Sequence, residues 1–342
     1  MRNKYFFFLI VFSFVISFSC NNSNTKSDNN ERTDSELMQS DPMAAFNILN
    51  EQIKEEPKNA QLYNQRANFF LLAGQANSAL SDVNMALQLD SLNANIWVTL
   101  ADVYFEKERF VDSREVLKKS LEIDPNNTSA LLKLARLYLI YREYNISMAY
   151  LDRALYEDPI LVDAFHLKAV IMIEQGDTTA AILSYQKAVD INPEFYDAWI
   201  GLGILYSAKG NPLAEQYYIN AVNIDTNNTH AIYILALYYQ QNNQLGLAEE
   251  KYRTIIRKEV NENAWYNLGY INLVYRENYN EAISCFQKAL NINPDYNDAL
   301  FNLALSLEMS GDKEDARLIY LELLKKVPNH TAALEQINNL NN

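Results

Sequence analysis

The sequence predicts an all-α fold: a right-handed α-solenoid of about eight helix-turn-helix repeats, with an extra helix at the N-terminus and a capping helix at the C-terminus. Small residues recur every 33 to 35 positions, at Ala67, Ala101, Ala135, Ala169, Gly203, Ala236, Gly269 and Ala304. A second series keeps nearly the same interval, at Ala79, Ser113, Ser147, Ala181, Ala214, Ala248, Ala282 and Ala316. Self-similarity of this period indicates stacked repeats, each built from two helices.

Large side chains flank the first small residue of each repeat and define a first helix, helix A. Four positions before it stand Tyr63, Trp97, Leu131, Phe165, Trp199, Ile232, Trp265 and Leu300. The second small residue is followed four positions later by Val83, Leu117, Leu151, Tyr185, Tyr218, Tyr252, Phe286 and Tyr320, on a second helix, helix B. Spacings of three and four put these side chains on one helix face. The small residues then allow close backbone approach between helices A and B.

Prolines predict where helix B stops, because proline has no amide donor and cannot continue a helix. They stand at Pro125, Pro159, Pro193, Pro294 and Pro328. Pro57 precedes the first repeat by the same logic, so residues 42–59 are expected to hold an unpaired N-terminal helix. Residues 331–342 are expected to form a capping helix, with an apolar stripe of Leu334, Ile337 and Leu340.

This order of large, small, aromatic and proline positions resembles the tetratricopeptide repeat family. The resemblance covers residues 42–342 and places eight repeats in 60–330. They run 60–93, 94–127, 128–161, 162–195, 196–228, 229–261, 262–296 and 297–330. In this family helix A lines a concave surface that binds other proteins, so the resemblance implies a protein-binding groove.

The resemblance places a set of mostly apolar helix A side chains in this groove. They are Leu132, Arg136, Ile140, His166, Val170, Ile173, Ile200, Ile204, Tyr233, Leu237, Tyr266, Tyr270, Phe301 and Leu305. Such a stripe is more apolar than a face that only meets water. Two interpretations stay open: binding surface, or lateral packing against the next repeat. As a binding surface, the groove is expected to be centred on Ile200, Tyr233 and Tyr266, and to take an extended segment or a helix.

The first nineteen residues have the organisation of a secretory signal. Arg2 and Lys4 precede an apolar run from Tyr5 to Phe18, after which the composition turns polar. Ser19 followed by Cys20 resembles a bacterial lipoprotein signal, which implies a signal peptide 1–19 and lipidation of Cys20. Simple cleavage and an uncleaved anchor remain alternatives. Residues 20–41 are expected to be a disordered tether, because they hold few large apolar side chains. The resemblance implies anchoring in the cell envelope, at the outer membrane, on an unspecified face.

Composition argues against several other classes of protein. The formal charge is −14, from 43 acidic and 29 basic residues, which disfavours nucleic acid as a partner. The glycines are too dispersed for a phosphate-binding or dinucleotide-binding loop. His166, His230 and His330 lie far apart with no ligand spacing, and the carboxylates form no singled-out pair. We therefore expect no enzyme activity, no metal and no cofactor. Cys285 is expected to be a small buried residue.

Two functions fit these observations. The first is a membrane-tethered scaffold or adaptor that binds protein partners of the cell envelope, for example in the assembly or localisation of a complex. The second is a glycan or cell-wall binding module in which the groove tyrosines act as stacking platforms. Proteins that co-purify with the chain would favour the first, and retention on cell-wall material would favour the second.

Overall fold

The computed structural model describes residues 42–340, which form helices and turns without strands. The predictions of a signal peptide, of lipidation at Cys20 and of a tether concern residues outside this described range. Two compact units are present, one ending at Ser91 and the other starting at Leu92. No helix within 42–340 is both long enough and apolar enough to cross a membrane.

The described part of the first unit, from residue 42 onward, consists of three helices: α1 (Pro42–Glu55), α2 (Ala60–Leu72) and α3 (Ala76–Leu89). Leu49 and Ile53 of α1 pack with Leu62 of α2 in a small core. Arg66 of α2 binds both carboxylate oxygens of Asp82 on α3, at 2.6 and 2.8 Å. It also donates to Asn50 of α1 at 2.7 Å, so one guanidinium connects all three helices. Bidentate geometry of this kind is among the stronger polar interactions in proteins.

The second unit contains seven helix pairs and a last single helix. Its A helices contain 13 or 14 residues, and its B helices 12 or 14. In chain order the helices are α4 (Ala94–Glu106), α5 (Phe110–Ile123), α6 (Thr128–Ile140), α7 (Tyr144–Glu157), α8 (Val162–Glu174), α9 (Thr178–Ile191), α10 (Tyr196–Ala208), α11 (Leu213–Ile224), α12 (Thr229–Gln241), α13 (Leu245–Lys258), α14 (Glu262–Val274), α15 (Tyr279–Ile292), α16 (Asn297–Ser310), α17 (Lys313–Lys326) and α18 (Thr331–Leu340). Helices A and B of each repeat pack on each other, and each helix B packs on the next helix A.

The two series of small residues lie where helices A and B meet. The alanines of both series are almost completely buried. Where a serine replaces alanine on helix B, its hydroxyl reaches the backbone of helix A. Ser113 donates to the carbonyl of Ala101 at 2.8 Å, and Ser147 donates to that of Ala135 at 2.6 Å. Such bonds require backbones in close contact, as the sequence predicts.

Every turn between helices A and B contains one residue in the left-handed conformation. Glycine fills this position at Gly74, Gly176, Gly210 and Gly311, with φ between +65° and +100°. The other four turns use Glu108, Arg142, Asn243 and Glu277, with φ between +53° and +60°. Only glycine adopts this conformation without steric cost. Gly246 does not lie in one of these turns, since it is the second residue of α13.

The ends of the helices follow local chemistry. Helix B ends two residues before each proline of the series, at Ile123, Glu157, Ile191, Ile292 and Lys326. Five A helices begin after an asparagine whose side chain accepts a backbone amide. These caps are Asn59, Asn93, Asn127, Asn228 and Asn261. An N-cap of this kind satisfies amides that have no partner inside the helix.

The last helix, α18, covers the end of the second unit with a different face from the predicted one. Ala333 is completely buried and packs with Ile337 and Leu340, whereas Leu334 is exposed. The prediction of Leu334 in the apolar stripe is therefore wrong. Residues 333, 337 and 340 lie within about 60° of one another around a helix of 3.6 residues per turn, whereas residues 334 and 340 are about 120° apart.

Candidate interaction groove

All of the predicted groove residues lie on A helices of the second unit. Leu132, Arg136 and Ile140 are on α6, and His166, Val170 and Ile173 on α8; Ile200 and Ile204 are on α10, Tyr233 and Leu237 on α12, Tyr266 and Tyr270 on α14, and Phe301 and Leu305 on α16. Two pairs of adjacent A helices contact each other directly, α6 with α8 and α14 with α16. We call the surface formed by this row of helices the A-helix groove.

Ile200 does not belong to the surface of this groove. Its exposure is 0%, and Val170 is also buried, so neither can contact a partner in this conformation. The predicted centre at Ile200 is therefore wrong. The reason is the close packing of α10, where Gly201 faces the ring of Tyr185 and Gly203 faces the ring of Tyr218. Helix α10 therefore packs closely against α9 and α11, which explains the burial of Ile200.

Tyr233 and Tyr266 join neighbouring repeats. Asn267 of α14 donates its side-chain amide to the hydroxyl of Tyr233 at 3.0 Å. One repeat later, Asn302 of α16 donates to the hydroxyl of Tyr266 at the same distance. Burial raises the pKa of Tyr266 to about 12 and also raises the pKa of Tyr233. The lateral-packing interpretation therefore accounts for both tyrosines. The sequence signal for this packing is the asparagine that lies in the following repeat, 34 residues after Tyr233 and 36 residues after Tyr266.

The faces of these rings are also occupied. Tyr233 packs against Tyr252 with ring centroids 5.8 Å apart. Tyr266 stacks on Tyr296 at 4.9 Å and contacts Phe286. Phe301 likewise stacks on His330, at 5.2 Å. Aromatic contacts at these distances add to the stability of the array.

An apolar stripe stays accessible at the C-terminal ends of the last two A helices. It consists of Tyr270 and Val274 on α14, and Leu305 and Met309 on α16. Val274 is 48% exposed and Met309 is 53% exposed, while Tyr270 and Leu305 are half-buried. The spacing of four residues on each helix keeps each pair on one face. The repeat pattern places Val274 in the groove, and Met309 is its equivalent in the next repeat.

Charged and titratable groups dominate the groove further toward the N-terminus. Arg136 of α6 lowers the pKa of Asp163 on α8, yet burial outweighs it and raises that pKa overall. The pKa of Asp197 on α10 is raised by burial and by Asp163, and Arg136 opposes this too. His166 packs between the rings of Tyr185 and Phe195, and its Nδ1 is buried without a hydrogen-bond partner. Burial, aided by Arg136, lowers the pKa of His166 to about 4.

The described residues contain no group of three or more histidine, cysteine, aspartate or glutamate side chains placed to hold a metal ion. Cys285 is buried in α15, and burial together with Glu281 raises its pKa to about 11. A thiol of this kind stays protonated and is a poor nucleophile. His166 and His230 lie on different helices and serve packing, since His230 meets the hydroxyl of Tyr196 at 2.9 Å.

Models of the tetratricopeptide repeat match the chain at several places. Residues 94–127 and 298–330 match models described as tetratricopeptide repeat, and 171–210 and 272–311 match a model described as TPR repeat. A TPR repeat-containing protein of Methanocaldococcus jannaschii is 32% identical over 176 residues, which cover 47% of this chain and 30% of that protein.

Two further relatives match over a smaller share of their own length. The protein O-mannosyl-transferase TMTC3 of Homo sapiens is 23% identical over 188 residues, 53% of this chain and 20% of that protein. Anaphase-promoting complex subunit 3 of Schizosaccharomyces pombe is 28% identical over 92 residues, 27% of this chain and 14% of that protein. The chain thus spans less than a third of the length of these curated relatives.

Solved structures show the same architecture. A tetratricopeptide repeat protein from Parabacteroides merdae aligns over 73% of this chain and 99% of its own, with a TM-score of 0.51 and 17% identity. The APC/C hetero-tetramer Cut9-Hcn1 aligns over 89% of this chain and 60% of that one, with a TM-score of 0.50 and 17% identity. The fold and the groove define a helical repeat protein of the kind that serves as a scaffold. The chain belongs to the tetratricopeptide repeat family.

Proposed function

We propose that this chain is a non-catalytic scaffold that binds a protein partner along the A-helix groove, and that the apolar stripe is its main anchor. The observation that carries this proposal is the exposure of Val274 and Met309 on neighbouring helices. An apolar patch on the inner helices of a repeat array costs solubility unless another surface covers it. A helix or an extended segment with apolar side chains at matching spacing fits such a row.

The charged part of the groove gives the partner an orientation. Arg136 lies near two carboxylates, Asp163 and Asp197, whose pKa values are raised by burial. Polar groups in a partly buried setting favour one register of a bound segment over others, because an unpaired charge there is costly. The stripe supplies apolar contact and this region supplies specificity.

The glycan alternative has weaker support. Stacking on sugars needs free ring faces, and the rings of Tyr233 and Tyr266 already contact Tyr252, Phe286 and Tyr296. No catalytic role is proposed either, since the match to the mannosyltransferase covers 20% of that protein.

Photo-crosslinking inside cells tests the groove directly. A photoreactive amino acid at position 274 or 309 should capture one or a few defined proteins, identified by mass spectrometry. Leu318 on helix B of the last repeat, 61% exposed, provides the matched control position. Met309→Lys should reduce capture at 274 by about tenfold or more, because an ammonium group would be placed in the apolar contact. Equal capture from 274, 309 and 318 would contradict the proposal.

A lipid anchor at Cys20 and a location in the cell envelope complete the proposal. They rest on the sequence alone: a basic start, an apolar run from Tyr5 to Phe18, and a cysteine after Ser19. In this arrangement the polar residues 21–41 would connect the anchor to the repeats, and the partners would be proteins of the envelope.

A further inference from the structure

A crevice on another surface of the second unit, away from the A-helix groove, lies between the sixth and seventh repeats. The end of α13, the segment 259–261, the start of α14 and the last turns of α15 enclose about 480 Å³. The lining residues are Ile256, Arg257, Lys258, Glu259, Val260, Trp265, Lys288, Asn291 and Ile292. Three cationic side chains therefore share one crevice with an indole and three aliphatic side chains.

None of these three cations is paired with a carboxylate within the described part of the chain. Arg257 donates to the hydroxyl of Thr254 at 3.1 Å, and Lys258 donates to the side-chain oxygen of Asn227 at 2.7 Å. Lys288 lies over the ring of Trp265, 4.3 Å from its centroid. Three positive charges therefore stand in one crevice, in a chain that has 43 acidic and 29 basic residues overall.

The single carboxylate of the crevice is already engaged elsewhere. One oxygen of Glu259 accepts from the hydroxyl of Thr229 at 3.0 Å, and the other accepts from the side chain of Asn261 at 2.9 Å. These bonds connect Glu259 to Thr229, the first residue of α12, and to Asn261, the residue before α14. The local balance in the crevice is therefore positive, although the whole chain is strongly negative.

Trp265 also presents an unused donor. At the same frame position two repeats earlier, Trp199 donates its indole N–H to the carbonyl oxygen of Pro193 at 2.7 Å. The indole of Trp265 has no hydrogen-bond acceptor among the described residues, and Val260 stands at the frame position that proline occupies in five other repeats. Val260 is 78% exposed and forms one apolar side of the opening.

The equivalent crevice between the second and third repeats provides an internal comparison. It encloses about 430 Å³ and is lined by Pro125, Asn126, Leu131, Asp152, Arg153, Tyr156 and Glu157. Its only cation, Arg153, donates to the carbonyl oxygen of Pro125 at 2.9 Å, and two carboxylates accompany it. The positive character of the Trp265 crevice is thus specific to its side chains and does not follow from the fold.

We propose that the Trp265 crevice is a second binding site, for an acidic segment of a partner protein in which a carboxylate is flanked by an apolar side chain. The carboxylate would accept from Lys288, Lys258 and the indole N–H, and the apolar neighbour would lie against Val260 and Ile292. Hydrogen bonds in which the donor or the acceptor is charged are stronger than those between neutral groups. The crevice is larger than a single carboxylate or phosphate needs, which favours a peptide over a free anion.

Fluorescence anisotropy with the full chain tests this site. The probe is a fluorescein-labelled short peptide of alternating glutamate and leucine, and its counterpart carries glutamine in place of glutamate. We expect the acidic peptide to bind and the glutamine peptide to bind at least tenfold more weakly. The double variant Lys258→Gln with Lys288→Gln should lose about tenfold in affinity. Higher ionic strength should weaken binding to the unmodified chain, because the contacts are charged and near the surface.

Matched controls separate this site from the groove and from other anions. Arg153→Gln in the equivalent crevice and Met309→Lys in the groove should both leave peptide affinity unchanged. The proposal therefore stands or fails independently of the proposed function. Equal loss in Arg153→Gln, equal binding of the glutamine peptide, or competition by inorganic phosphate at the peptide's own affinity would each overturn it. Lysine-dependent binding to anionic phospholipid vesicles without peptide binding would also overturn it, as a membrane contact.

Discussion

Gly203 lies against an aromatic ring and has no room for a side chain. A β-carbon at this position would stand 2.5 Å from Cε1 of Tyr218, which is itself buried. Gly201 faces Tyr185 in the same way, and Gly269 faces Phe286 at 2.8 Å. The rings cannot move aside without leaving the core, so these glycines set how closely the helices approach.

We predict that Gly203→Ala lowers the free energy of unfolding by about 1 to 3 kcal/mol, through overpacking. Gly246→Ala is the matched control, because no atom lies within 4 Å of the added carbon and the residue is already helical. That control should stabilise by about 0.5 kcal/mol. Thermal and urea unfolding monitored by circular dichroism give both values. Equal midpoints for the two variants would refute the close contact with Tyr218.

His166 makes the protein sensitive to acid. Burial, with a contribution from Arg136, lowers its pKa from 6.5 to about 4. Between these two values the unfolded chain binds a proton that the folded chain does not. The contribution of neutral His166 to the free energy of unfolding is therefore fully present above pH 6.5. It is lost as the pH falls toward 4, by up to about 3 kcal/mol. Asp163 and Asp197 act in the opposite direction, because burial raises their pKa values.

The variant His166→Leu isolates this contribution. Leucine keeps apolar contact with Tyr185 and Phe195 and cannot take a proton. We expect the variant to gain stability relative to the unmodified chain when the pH is lowered from 7.5 to 4.5. Urea unfolding at several pH values measures the difference between the two proteins. A difference that stays constant with pH would show that His166 titrates normally in the folded state.

At the scale of the helical element, four of the eight turns between helices A and B hold a residue other than glycine in a strained backbone conformation. Glu108, Arg142, Asn243 and Glu277 adopt the left-handed conformation that glycine occupies in the other four repeats. A side chain in this region is strained by about 1 kcal/mol or more.

Replacement of Glu108 tests this strain in both directions. Glu108→Gly should raise the free energy of unfolding by about 0.5 kcal/mol, after allowance for the greater freedom of glycine in the unfolded chain. Glu108→Val should lower it by about 1 kcal/mol, because a β-branched side chain crowds the backbone further. Unfolding midpoints of the pair in urea provide the check. A valine variant as stable as the glycine variant would contradict the left-handed turn.

Sequence periodicity predicts the elements well and their lateral contacts poorly. The small positions and the helix ends before Pro125 and its equivalents are local consequences of the chain, and the structure confirms them. The burial of Ile200 and the bond from Asn267 to Tyr233 depend on how adjacent repeats meet. The position of a residue within its repeat indicates on which side of the helix the side chain lies. It does not indicate how close the neighbouring helix is. Leu334 is a different case, because helical spacing alone places Ala333, and not Leu334, on the same face as Ile337 and Leu340.

At the scale of the whole molecule, the proposed lipid anchor at Cys20 predicts where the repeats work. Cys20→Ala should transfer the protein from the membrane fraction to the soluble fraction, since acyl chains would no longer be attached. Mass spectrometry of the N-terminus of the unmodified protein should show Cys20 as the first residue, carrying two or more chains. Fractionation of cells that produce each form is the measurement. A variant that stays with the membrane would contradict lipid attachment and favour an uncleaved apolar anchor.

The two tyrosines that close on α10 also constrain how the chain can diverge over generations. An alanine at position 201 is tolerated only after Tyr185 has become smaller, and an alanine at 203 only after Tyr218 has. Each tyrosine, replaced first, leaves an empty space beside its glycine that costs stability until a larger residue fills it. The pairs 185–201 and 203–218 should therefore change together among descendants of this sequence. Positions such as 246, which touch no neighbouring side chain, are free to change alone.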